Sequence, residues 1–134
     1  MAATKKRKTN NSKRILIVGN DRTFNNVVKM RLEKNNYKAQ VSLETDLSND
    51  VVNKMRPDLL LYDLSVDENM HTSDLPINSS FTSLENVKII YFGTKQDTQY
   101  RWQAISDGSA GFIEKPYQAE ELLSQVSNAL LVNE

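Results

Sequence analysis

Three runs of the sequence, Arg14 to Val18 (RILIV), Asp58 to Leu64 (DLLLYDL) and Val87 to Phe92 (VKIIYF), are near-continuously apolar and rich in β-branched, leucine or aromatic residues. A strand with one face in water alternates apolar with polar side chains. A continuous apolar run needs cover on both faces, and a parallel sheet wrapped by crossover helices supplies it.

The intervening segments carry the covering helices. Phe24, Val27, Val28 and Leu32 recur at helical spacing, Asp21 stands where an N-cap is needed, and Asn35-Asn36 marks the end. Tyr37 to Leu43 reads as a second strand. Leu47, Val51, Val52 and Met55 then form an amphipathic helix that ends near Arg56, because Pro57 disfavours helical geometry at the residue before it. Gln96 to Ser106 supports a helix around Tyr100, Ala104 and Ile105, with Gly108 as its stop, and Ala110 to Ile113 gives a short last strand. From Gln118 to Leu131, the residues Leu122, Leu123, Val126, Ala129 and Leu130 define the apolar face of a terminal helix.

Strands and helices thus alternate as (βα)5, an α/β fold with a doubly wound, five-stranded parallel sheet. Ser65 to Asn86 is the weak link. Pro76 interrupts it and Ser, Asn, Asp and Thr dominate, so the third helix is expected to be short or irregular.

At 134 residues there is material for one hydrophobic core, and a single module is expected. The 17 basic and 17 acidic residues cancel formally, yet they are unevenly placed. Lys5, Lys6, Arg7, Lys8, Lys13 and Arg14 come without an acid among them, leaving 11 basic against 17 acidic residues and a net charge of −6 for the rest. Residues 1–13 are therefore expected to be a basic flexible arm, with no periodic apolar face to offset ordering entropy, and residues 14–134 the domain. The arm lacks the apolar core of a secretory signal, no apolar run approaches a membrane span, and there is no cysteine for a disulfide framework or thiolate metal site. A cytoplasmic address is expected, or a nuclear one if KKRK acts as an import run.

In open parallel sheets, reactive groups gather beyond the carboxyl ends of the strands. Gly19, Asn20 and Asp21 occupy that end of the first strand, Asp63 the third, Gly93-Thr94 the fourth and Lys115-Pro116 the fifth. His71 stands alone in a polar stretch and makes no zinc site. There is no Gly-rich phosphate loop and no nucleophile-and-base pair, so independent enzymatic activity is not expected.

This constellation resembles the response regulator receiver (CheY-like) family over essentially Lys13 to Leu131, in an atypical, pseudo-receiver form with a flavodoxin-like fold. RPDLLLYDL puts Asp63 at the phosphoacceptor position, and GSAGFIEKPY puts Lys115 at the phosphoryl-contacting lysine and Phe112 at the aromatic switch. Other positions depart from the family pattern. The acidic pair that helps hold Mg2+ falls on Gly19 and Asn20, with Asp21 one place late. The Ser/Thr after the fourth strand falls on Gly93, with Thr94 one place late. The Met-Pro and Gly of the loop after the phosphoacceptor fall on Val66, Asp67 and His71.

These departures carry physical consequences. Mg2+ is a hard cation that wants oxygen ligands, and phosphoryl transfer to a carboxylate uses it to neutralise charge. With Gly19 and Asn20 in place of two acids, Mg2+ held by Asn20, Asp21 and Asp63 is expected to be weak. Asp63 can instead pair with Lys115, an attraction of about 4 kcal/mol gross at about 4 Å and an effective dielectric of about 20, before desolvation is subtracted. Gly93 has no hydroxyl to bring to a phosphoryl group, so Phe112 should respond little to one.

The resemblance implies a module of two-component signal transduction that binds a protein partner through its fourth helix, fifth strand and fifth helix, with Trp102 as a candidate anchor. Two other readings stay open. One is an active receiver in a phosphorelay, phosphorylated on Asp63 by a histidine kinase or phosphotransfer protein, with Thr94 as the substitute hydroxyl. The other is a nucleic-acid-associated adaptor that uses the basic arm, against which the acidic body argues.

Overall fold

The computed structural model describes residues 13–43, 46–63, 87–94 and 111–131. Five strands, β1 (Arg14–Val18), β2 (Lys38–Ser42), β3 (Leu59–Asp63), β4 (Lys88–Gly93) and β5 (Gly111–Glu114), form one sheet in the order β2-β1-β3-β4-β5, all neighbours parallel. Three helices lie in the described residues: α1 (Arg22–Glu33), α2 (Asn49–Met55) and α3 (Ala119–Leu131). The strand order is that of the doubly wound sheet expected above, and its boundaries fall within a residue or two of those read from the sequence. The expected helices between β3 and β4 and between β4 and β5 lie outside the described residues, as do residues 1–12 of the basic arm, His71 and Trp102.

The central strands are buried on both faces, as their composition requires. Every residue of β3 is buried. Odd-numbered positions Ile15, Ile17, Leu59 and Leu61 meet Val28 and Leu32 of α1 and Leu122, Val126, Ala129 and Leu130 of α3. Even-numbered positions Leu16, Val18, Leu60 and Tyr62 face the other way, with Val52 and Met55 of α2 and with Tyr91 and Phe112. The period-2 alternation of a strand therefore divides the buried apolar residues of β1 and β3 between two cores.

The helix ends follow from local chemistry. Asp21 caps α1 by accepting a hydrogen bond from the Phe24 N–H at 3.0 Å, and Ser48 caps α2 by accepting from the Val51 N–H at 3.2 Å. Past α1, Asn36 takes the left-handed φ of 73°, which asparagine tolerates better than most residues. Helix α2 does stop before Pro57, but Arg56 is not extended. It adopts a left-handed cap with φ 52°, and its N–H donates to the Val52 carbonyl at 2.8 Å. That geometry also satisfies the restriction imposed by proline, since it too avoids the right-handed helical region.

Candidate functional site

The odd-numbered face of β3 ends in a carboxylate. Asp63 follows Leu59 and Leu61 in the strand's alternation, and its side chain is only 2% exposed. A buried charge needs a partner, and Lys115, just past β5, supplies one: its Nζ donates to Asp63 Oδ1 at 2.7 Å. The lysine is 23% exposed, so the pair sits at the mouth of the site with the acid inside. Its backbone is anchored as well, because the Lys115 N–H donates to the Gly93 carbonyl at 2.7 Å. The ammonium also stands 4.4 Å from the centroid of the Phe24 ring, a cation–π contact that holds it over α1. Phe24 in turn meets Phe92 edge-to-face with centroids 5.0 Å apart and Tyr117 at 5.9 Å, so an aromatic cluster braces the lysine from below.

The opposite wall of Asp63 is backbone. A Cβ built on Gly19 would stand 2.8 Å from the Asp63 Cβ, closer than real Cβ atoms approach one another, and 3.6 Å from Asp63 Oδ2. Gly19 is held there from two sides: its N–H donates to the Ser42 carbonyl at 3.2 Å, and its own carbonyl accepts from Asn25 Nδ2 at 3.0 Å. Asn25 is fully buried, and its Oδ1 lies against the same spot, 3.3 Å from the Cβ position of residue 19, without a hydrogen-bond partner.

Of the residues singled out from the sequence, Asp63 and Lys115 are thus joined directly, and Gly19 and Gly93 lie at their flanks. Asn20 and Asp21 are exposed at the start of α1, where Asp21 serves as the helix cap. Thr94 is exposed and lines a cleft with Lys115. Phe112 is buried in the same core as Leu16, Val18, Leu60 and Tyr62. Sequence reasoning missed Asn25 and the bracing role of Phe24. A signal was present for the first, since Asn25 precedes Val28 and Leu32 on the core face of α1 and is polar where the helical spacing calls for an apolar side chain.

Mg2+ asks for several oxygen ligands in near-octahedral array, commonly including carboxylates. Among the described residues, the geometry around Asp63 shows one carboxylate with an ammonium already on it, a Gly19 carbonyl that accepts from Asn25, and the Asn25 Oδ1. No group of three or more acidic, histidine or cysteine side chains suited to a metal occurs among the described residues. The described residues, as arranged, do not fit a Mg2+ centre. Their chemistry is instead that of an internally compensated anion, in which the lysine provides the positive charge.

Comparison with known proteins agrees with the fold. Residues 15–127 match the response regulator receiver domain. A curated relative, the uncharacterized transcriptional regulatory protein YvcP of Bacillus subtilis (strain 168), is 24% identical over 123 residues. The match covers 87% of this chain but 48% of that protein, so the chain spans about half the length of this relative. Among solved structures, the chemotaxis response regulator CheY4 of Vibrio cholerae superposes with a TM-score of 0.67 at 17% identity, covering 88% of this chain and 98% of that one. The receiver domain of NtrX from Brucella abortus gives 0.70 at 19% identity, with 87% and 97% covered. At such identities the structural likeness speaks to the fold.

Proposed function

The chain belongs to the response regulator receiver domain family of two-component signalling, and from that premise we propose that it acts as a pseudo-receiver, binding a protein partner independently of phosphoryl transfer. The observation that carries the reading is the Asp63–Lys115 pair at 2.7 Å, closed on its other side by Gly19. Receivers typically bind Mg2+ at this place. Here the positive charge next to the acid belongs to Lys115, and the position of the first metal-binding acid is filled by backbone in contact with Asp63. Mg2+ binding is accordingly weak, and the acid rests compensated without it.

A phosphoryl group on Asp63 would bring about −1.5 to −2 charges into a pocket where the Lys115 ammonium is already engaged, by analogy with other phosphorylated side chains. Gly93 offers no hydroxyl to receive it, and Phe112, packed in the core, has little to gain by moving. The partner surface on this reading comprises β5, α3 and the segment between β4 and β5 that contains Trp102. The basic arm of residues 1–13 is an appendage to the domain of residues 14–134, without a catalytic role. None of the described helices is long and apolar enough to cross a membrane, in keeping with a cytoplasmic address.

One observation favours a second reading, an active receiver phosphorylated by a histidine kinase or phosphotransfer protein. Thr94 and Lys115 line the same cleft, which supports the Thr94 hydroxyl as a substitute for the one lost at Gly93. Amide NMR spectra recorded with millimolar Mg2+ and then with beryllofluoride, a mimic of phosphoryl aspartate, separate the two. Spectra that barely move around Asn20, Asp63 and Lys115 support the pseudo-receiver. Saturable shifts that spread from Asp63 to Phe112 sink it and establish the active receiver.

A further inference from the structure

Beside the Asp63–Lys115 pair, a cleft of about 470 Å3 opens between α1 and the chain that follows β5. Phe24, Val27, Pro116 and Tyr117 give it apolar walls, and Arg31 and Lys115 give it two cations. No carboxylate is among the described residues that line it. Arg31 adds a second, independent observation: its Nε is buried and has no hydrogen-bond partner. A buried N–H without an acceptor is costly to the fold, and an anionic acceptor is the group that best satisfies a guanidinium. Lys115 has a similar reserve, because an ammonium carries three donors and Asp63 Oδ1 takes one of them.

The cleft falls within the roughly 300–1,000 Å3 range of small-molecule sites, and it combines apolar walls with few polar groups as such sites do. We propose that this cleft binds a small aromatic carboxylate, its ring against Phe24, Val27 and Tyr117 and its carboxylate between Arg31 and Lys115. Phe24 and Tyr117 are half-buried and meet edge-to-face, an arrangement that a further aromatic ring in the cleft can extend. Because Lys115 borders the cleft and also binds Asp63, a bound carboxylate competes for the ammonium and makes the pair responsive to a metabolite. The site stands whether or not Asp63 accepts a phosphoryl group.

The test is a titration of the isotope-labelled full chain with phenylacetate and indole-3-acetate and, separately, with their primary amides. The acids are expected to give saturable amide shifts at Phe24, Arg31, Thr94, Lys115 and Tyr117, and the amides to bind about tenfold more weakly, as loss of a charge-assisted hydrogen bond requires. In Arg31→Met the preference for acid over amide is expected to disappear while the rest of the spectrum stays in place. Absence of saturable shifts with both acids overturns the proposal, as does equal binding of acid and amide, or a preference that survives in Arg31→Met. Should that variant fail to fold, the comparison of acid with amide on the unaltered protein decides alone.

Discussion

Gly19 and Asp63 touch so closely that no side chain fits between them: a Cβ on the first would stand 2.8 Å from the Cβ of the second. The atom in the way belongs to a buried strand, not to the end of a flexible side chain, so it cannot move aside cheaply. Gly19→Ala is therefore expected to destabilise the domain by about 1–3 kcal/mol, the usual cost of overpacking. Urea unfolding followed by circular dichroism measures it. The same obstruction bears on function. Rebuilding an acidic pair with Gly19→Asp and Asn20→Asp should lower the urea midpoint well below that of Asn20→Asp alone, without restoring strong Mg2+ binding.

The pairing of Asp63 with Lys115 makes a second prediction, because its two members are unequally buried, 2% against 23% exposed. Lys115→Met removes the ammonium from beside a buried carboxylate and is expected to cost about 3 kcal/mol, the low end for breaking a buried pair since the lysine is partly in water. Asp63→Asn leaves an ammonium that can turn outward, and about 1 kcal/mol is expected. Combined, the two should cost little more than Asp63→Asn by itself. A strictly additive double-mutant cycle in chemical denaturation would mean that the pair is not coupled in solution.

Asp21 is read as a helix cap. Asp21→Ala should then lower stability by about 1 kcal/mol, Asp21→Ser should recover most of that loss, and neither should alter the response of the amide spectrum to Mg2+. A Mg2+ response abolished by Asp21→Ala but kept in a stability-matched cap variant elsewhere, such as Ser48→Ala, would assign Asp21 to the metal.

Much of this arrangement was legible before the fold was seen, for reasons that differ from element to element. RILIV and DLLLYDL announce central strands because only burial on both faces tolerates such runs, and Pro57 and Asp21 mark helix ends through local sterics and hydrogen bonding alone. Asp63 and Lys115 lie 52 residues apart, and their meeting could be anticipated only through the family's motif spacing. The contact between Gly19 and Asp63 could not be read at all, because it depends on how closely β1 and β3 approach at their ends. Likewise Asn25 is visibly polar on an apolar helix face, yet nothing local says that its two ends point to a Gly19 carbonyl and to the space beside a buried acid. That depends on the rotation of α1 against the sheet.

Asn25 supports the last prediction. Its Nδ2 holds the Gly19 carbonyl, while its buried Oδ1 lacks a partner and faces the point that Asp63 Oδ2 also borders. Replacement by an apolar side chain of similar volume relieves the unsatisfied acceptor but leaves the buried Gly19 carbonyl without its donor, so Asn25→Leu is expected to cost about 1–2 kcal/mol. Asn25→Asp is different. It withdraws the donor from Gly19 as well and sets a second carboxylate near Asp63, where like charges in low dielectric repel, and a loss of about 3 kcal/mol or more is expected without divalent cations. Two carboxylates around one point are also what a hard cation seeks, so millimolar Mg2+ should raise the thermal midpoint of Asn25→Asp and leave that of Asn25→Leu unchanged. Equal stability of the two variants would show that Asn25 Oδ1 does not face the acid.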